Sequence, residues 1–134
     1  MSLYLDTSAL LKRYLDEADS DRFDEILRSD PVWVTAGITL VEVRRNLTRV
    51  LEGDDLLTAR EQFSRDWDRC YVVALDGVLC ATAAQIAELT MARSLDALHL
   101  AAIQRTGPGA LPLVTADLRQ AQAARTLGWT ILGC

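Results

Sequence analysis

The chain has 134 residues, half of them hydrophobic and a quarter charged, with a net charge of −5 and a pI near 4.8. This balance excludes a disordered or fibrous chain, and the length suits a single domain over residues 1–134 that folds without disulfides. The acidity argues against holding nucleic acid through a bulk positive field, so any nucleic-acid chemistry must be local.

Short apolar runs of strand length alternate with longer segments of helical spacing, the pattern of a parallel α/β sheet. In chain order the strands are predicted at Leu3–Leu5, Val32–Val34, Tyr71–Leu75, Leu111–Val114 and Thr130–Leu132. The helices are predicted at Ser8–Leu15, Ser20–Arg28, Ile38–Leu51, Leu56–Trp67, Gly77–Met91, Ala97–Arg105 and Leu118–Leu127. Leu40, Val43, Leu47, Val50 and Leu51 recur at three- and four-residue spacing, as one face of a helix should. Breaks are expected at Asp30-Pro31, Gly53-Asp54-Asp55 and Gly107-Pro108-Gly109, none long enough to be a domain linker. No apolar run approaches the roughly 20 residues of a membrane span, and Met1 to Leu5 has no signal-peptide character, which predicts a cytoplasmic protein. Cys70, Cys80 and Cys134 are odd in number and lack C-x-x-C spacing, so packing is their expected role.

In a parallel α/β sheet ligands gather beyond the carboxyl ends of the strands, which directs attention to the acids there. Asp6 follows the first strand, Asp117 opens the last helix, and Asp96 stands at a helix start. Each taken singly reads as a helix N-cap, worth roughly 1 kcal/mol. Glu42 lies inside an apolar helical stretch, where a carboxylate is costly to bury without a partner; the other reading is a half-exposed residue at the stripe's edge. If the four converge, two like charges about 4 Å apart cost roughly 4 kcal/mol at an effective dielectric near 20. A divalent cation would relieve that repulsion. Carboxylates without a cysteine or histidine cluster are hard oxygen ligands, suited to Mg²⁺ or Mn²⁺ rather than zinc. Such ions activate water and stabilise phosphoryl charge.

Four stretches, in order, resemble the motifs of the PIN-domain family, especially the VapC-type toxins of bacterial toxin–antitoxin modules. They are Leu3-Tyr4-Leu5-Asp6-Thr7-Ser8-Ala9-Leu10, Ile38-Thr39-Leu40-Val41-Glu42-Val43-Arg44, Ser94-Leu95-Asp96-Ala97-Leu98-His99-Leu100-Ala101 and Val114-Thr115-Ala116-Asp117. The closing Gly128-Trp129-Thr130-Ile131-Leu132 fits the same pattern, so the resemblance spans essentially the whole chain.

The resemblance implies a three-layer α/β/α sandwich with a central parallel five-stranded sheet, and metal-dependent endonucleolytic cleavage of structured or single-stranded loop RNA. It implies that Asp6, Asp96 and Asp117 ligate the metal and that Glu42 holds a second ion or its water, with Ser8 and Thr115 as supporting hydroxyls. For Ser8 and Thr115 a local turn or cap hydrogen bond is an equal reading. Arg44 and Arg45, with Arg49 beyond them, are candidate RNA contacts through their forked donors, or else a solvated helix face. His99, the sole histidine, reads as a packed, hydrogen-bonded structural residue. The expected partners are an RNA substrate, a VapB-like antitoxin and a second copy of the chain in a homodimer.

A haloacid-dehalogenase-like phosphatase needs an aspartate two positions after Asp6, where Ser8 stands, and a receiver domain needs a late lysine, whereas the sole lysine is Lys12. The remaining alternatives are a housekeeping RNA-processing nuclease and a PIN-like module that binds RNA or protein without cutting.

Overall fold

The computed structural model describes residues 2–107, 109 and 111–134. Among these residues five strands form one sheet: β1 (Leu3–Leu5), β2 (Trp33–Ala36), β3 (Tyr71–Val73), β4 (Leu113–Val114) and β5 (Ile131–Leu132). Among the described residues seven helices accompany them: α1 (Thr7–Leu11), α2 (Ser20–Arg28), α3 (Ile38–Val50), α4 (Gly53–Arg69), α5 (Gly77–Thr90), α6 (Ser94–Arg105) and α7 (Leu118–Thr126). The strands run in the order β3-β2-β1-β4-β5 and every pairing is parallel, as the alternation of strand and helix predicts.

The period-two alternation of β1 divides the core. Tyr4 faces one cluster, with Leu79, Ile86, Leu100 and Ala124 from α5, α6 and α7. Leu3 and Leu5 face the other, with Leu10, Phe23, Val43, Leu47 and Phe63 from α1 to α4. The result is three layers, with β1 buried on both faces and β3, an edge strand, largely exposed.

The element ends differ from expectation where tertiary contacts override local pattern. α1 stops at Leu11, because the following turn aims Arg13 and Tyr14 at the buried Asp66 of α4. β2 extends to Ala36, carried by its pairing with Val73 of β3. α4 begins three residues early: Gly53 takes a left-handed φ of 60° as its first residue, and Asp54 and Asp55 sit in the first turn, where the helix dipole favours them. α6 begins at Ser94, so Asp96 lies within its first turn and is not its cap. The expected break at Gly107-Pro108-Gly109 falls partly on Pro108, outside the described residues.

β1 ends at the point where the chain's connections turn from one side of the sheet to the other, since β2 and β3 lie on one side of it and β4 and β5 on the other. Such a switch point opens a crevice at the strands' carboxyl ends. Gly133 closes the sheet beside it: a Cβ there would stand 2.6 Å from the Phe23 ring and 2.7 Å from the Thr115 carbonyl oxygen, at a φ of 99°. Only glycine fits.

Candidate active site

Asp6 leaves β1 directly into this crevice, 4% exposed, and caps α1 by accepting from the Ala9 N–H at 3.1 Å. Its Oδ1 also accepts from the Ser8 hydroxyl at 2.7 Å, and its Oδ2 from the Thr115 hydroxyl at 2.5 Å. Burial pushes its carboxyl above the usual range, while the imidazole of His99 and the donors Thr115, Ser8 and Ala9 oppose that shift. Thr115, wholly buried after β4, accepts from the Asp117 N–H at 3.0 Å, and Ser8 accepts from the Ala116 N–H at 2.9 Å. These two hydroxyls lace the ends of β1 and β4 together.

Asp117 caps α7, its Oδ1 accepting from Arg119 at 2.8 Å and Gln120 at 3.4 Å. For Asp6 and Asp117, capping and a place in the acidic site are therefore compatible, because capping leaves lone pairs free. Asp96, in the first turn of α6, has a carboxylate that accepts no hydrogen bond among the described residues. Burial raises its carboxyl, and the charge of Asp117, then those of Asp6 and Glu42, raise it further against the lowering influence of His99. Each of the other three acids thus contributes to the potential at Asp96. Gln120, fully buried, ties α7 to this turn by donating to the Asp96 carbonyl at 3.2 Å.

Glu42 faces the crevice from the second turn of α3. Its Oε1 accepts from the Thr7 hydroxyl at 2.7 Å and from His99 Nε2 at 2.9 Å. Burial raises its carboxyl, but the hydrogen bonds from His99 and Thr7 outweigh it and leave the group below its ordinary value. A carboxylate can only accept, so Nε2 carries the proton, and in that tautomer Nδ1 accepts from the Tyr4 hydroxyl at 2.9 Å. His99 is 3% exposed and Tyr4 0%, so a buried Tyr4–His99–Glu42 chain reaches from the core to the acids.

His99 is thus packed and hydrogen-bonded, and its partner belongs to the site. Sequence reasoning passed over Tyr4 and Thr7. The inward phase of Tyr4 on β1 and the i, i+3 spacing of Asp96 and His99 were the available signals. Arg44 is exposed and lines a cavity of about 300 Å³ between α3 and α4 with Arg60, Phe63 and Trp67, and Arg45 is exposed. Among the described residues neither arginine hydrogen-bonds any of the four acids.

Among the described residues no three acidic, histidine or cysteine side chains already form a group that could hold a metal ion. The donor chemistry nevertheless suits a hard divalent cation. The Asp96 carboxylate and Asp117 Oδ2 have no hydrogen-bond donor among the described residues, and the negative charge of Asp96, partly buried beside Asp117, is costly.

Fold and site together define a three-layer α/β/α protein with an acid-lined crevice at its topological switch point. The chain belongs to the PIN-domain family, whose model matches residues 3–126. It is 35% identical over 134 residues to Ribonuclease VapC35 of Mycobacterium tuberculosis, a match covering 97% of this chain and 95% of the relative. Its fold is similar to the crystal structure of Mycobacterium tuberculosis VapC20, titled a sarcin-ricin loop cleaving toxin, with a TM-score of 0.72, 17% identity and 98% of both chains covered. A chain of a toxin–antitoxin complex from Klebsiella pneumoniae is similar with a TM-score of 0.66, 15% identity and 86% of both chains covered. PIN-domain ribonucleases are in general dependent on divalent metal. Among the described residues no helix is long and apolar enough to cross a membrane.

Proposed function

We propose that the protein is a Mg²⁺- or Mn²⁺-dependent endoribonuclease of the VapC type, the toxin of a type II toxin–antitoxin module. The observation that carries this reading is that a PIN-family chain, 35% identical to Ribonuclease VapC35, brings Asp6, Glu42, Asp96 and Asp117 near enough for the charges of the other three to act on Asp96. Asp6, Asp96 and Asp117 would hold the metal, and Glu42 a second ion or its water. Bound there, a divalent ion supplies a Lewis acid that stabilises phosphoryl charge and activates water.

The protein's own groups prepare the site. Ser8 and Thr115 fix both oxygens of Asp6, while Thr7 and His99 fix one oxygen of Glu42 and leave the other without a hydrogen bond among the described residues. Tyr4 holds the His99 ring in the tautomer that donates to Glu42. This preorganisation spares the reacting complex the reorientation of its acids.

The substrate is RNA, in a single-stranded or loop region, and the setting is the cytoplasm. By analogy with the toxin–antitoxin complex of similar fold, the partner is a VapB-like antitoxin, and the chain pairs as a homodimer. The purified protein is expected to cleave RNA with Mg²⁺ or Mn²⁺ and to stop in excess EDTA. Asp6→Asn and Asp96→Asn should each abolish cleavage, and induced expression should arrest growth only with the unaltered chain. Undiminished cleavage by both variants, or in EDTA, would overturn the assignment.

A further inference from the structure

We infer that the groove between the start of α6 and the first turns of α7 seats the RNA strand beside the cleavage site, with Arg93 and Arg119 gripping its phosphates. The inference rests on the ribonuclease reading and locates its substrate. The groove encloses about 500 Å³, and its lining includes Met91, Arg93, Asp96, Leu118, Arg119 and Gln122. That size falls in the range of about 300–1,000 Å³ typical of ligand pockets. Asp96 is common to this lining and to the group of four acids.

Charge is the first argument. Arg93 precedes Asp96 by three residues and Arg119 follows Asp117 by two, so two elements bring one guanidinium each to the same groove. Both residues are exposed, and among the described residues neither guanidinium makes a hydrogen bond or ion pair, in contrast to those of Arg13 and Arg105, which are held by Asp66 and Asp76. In a chain of net charge −5, a polyanion needs such local cations to approach four carboxylates.

Shape is the second. Met91 and Leu118 are 84% and 75% exposed on the groove, apolar surface suited to the faces of unstacked bases. Met91 stands there because it closes α5 as its left-handed C-cap, at a φ of 59°, with its N–H bonded to the Ala87 carbonyl at 2.8 Å. Single-stranded RNA satisfies both requirements at once, since each nucleotide presents one phosphate and one flat apolar face.

The test uses the full chain in EDTA, where cleavage is stopped, and a fluorescein-labelled single-stranded RNA 12-mer of mixed sequence, read by anisotropy across a range of KCl concentrations. The Arg93→Ala/Arg119→Ala pair should weaken binding at least tenfold and flatten the log–log salt slope by about 1.4, the share of two phosphates on a single strand. Arg93→Lys/Arg119→Lys should restore most of the slope. Arg28→Ala/Arg65→Ala, with the same change in net charge on other exposed surfaces, should change neither quantity, and thermal melts establish that all variants are folded. The inference falls if the unaltered chain does not bind the 12-mer, if the alanine pair binds as before, or if the control pair loses as much. It falls too if the alanine pair keeps RNA but sheds a co-expressed antitoxin, which would make the groove a protein site. Failure of the ribonuclease reading would look different: normal binding and salt slope, with no cleavage in Mg²⁺ or Mn²⁺.

Discussion

His99 shows how one side chain can serve both packing and the site. Its ring is buried against Tyr4, edge to face at a centroid distance of 6.0 Å, while its two nitrogens link a core tyrosine to Glu42. Removing the Tyr4 hydroxyl leaves Nδ1 buried without a donor, which costs about 1–3 kcal/mol. Tyr4→Phe is therefore expected to lower stability by that amount in urea denaturation and to reduce metal-dependent cleavage as Glu42 loses its orientation. His99→Gln, which can still present an N–H to Glu42, should retain more activity than His99→Leu. Equal activity for the two would show that the hydrogen bond to Glu42 is dispensable.

At the scale of elements, two ion pairs join distant segments in different ways. Arg13, just beyond α1, holds the buried Asp66 of α4 through two bonds of 2.8 and 3.2 Å, and Tyr14 adds a third at 2.7 Å. Arg13→Ala leaves that carboxylate buried without its cation, so a loss of about 3–5 kcal/mol is expected in denaturant melts. Adding Asp66→Leu should recover much of the loss. Asp76 caps α5 and pairs with Arg105 at the end of α6, 2.7 Å away on the surface. The Arg105 guanidinium, aided by the Leu79 N–H, lowers the Asp76 carboxyl to about 2. A carboxyl depressed in the folded state contributes stability that is complete above its unfolded value and disappears as pH falls through the folded one. Asp76→Asn keeps the cap but not the charge. Its stability difference from the unaltered chain should therefore be constant above about pH 4 and vanish near pH 2, a course that urea melts at stepped pH would follow. High salt should shrink it, because the pair is exposed.

For the whole molecule, the acidic crevice sets stability against function. The raised carboxyls of Asp6 and Asp96 mean that the metal-free fold favours their protonated forms, so its stability declines as pH rises through the unfolded values toward the folded ones. At pH 7 and without metal, Asp96→Asn should melt at a higher temperature than the unaltered chain. Mn²⁺ should reverse the order, since a ligand at a hundred times its Kd stabilises the native state by about 2.7 kcal/mol. Scanning calorimetry with and without Mn²⁺ would decide, and an unaltered chain whose melting temperature ignores Mn²⁺ would contradict a metal site here.

The amino-acid sequence alone determined the five parallel strands, the seven helices and the residues just past the strand ends, because apolar periodicity and turn chemistry are local properties. It also carried the family motifs that single out Asp6, Glu42, Asp96 and Asp117. Only the tertiary structure decided what those acids touch. Thr115 meets Asp6 across 109 residues and His99 meets Glu42 across 57, and no local pattern encodes contacts of that span. The same holds for the arginines. Arg44 and Arg45 stood out by sharing a helix with Glu42, whereas Arg93 and Arg119 lie in separate segments that become neighbours only when α6 and α7 pack on the same face of the sheet. The motif resemblance thus named the acids, and packing of the layers chose their hydrogen-bond partners and brought Arg93 and Arg119 to one groove.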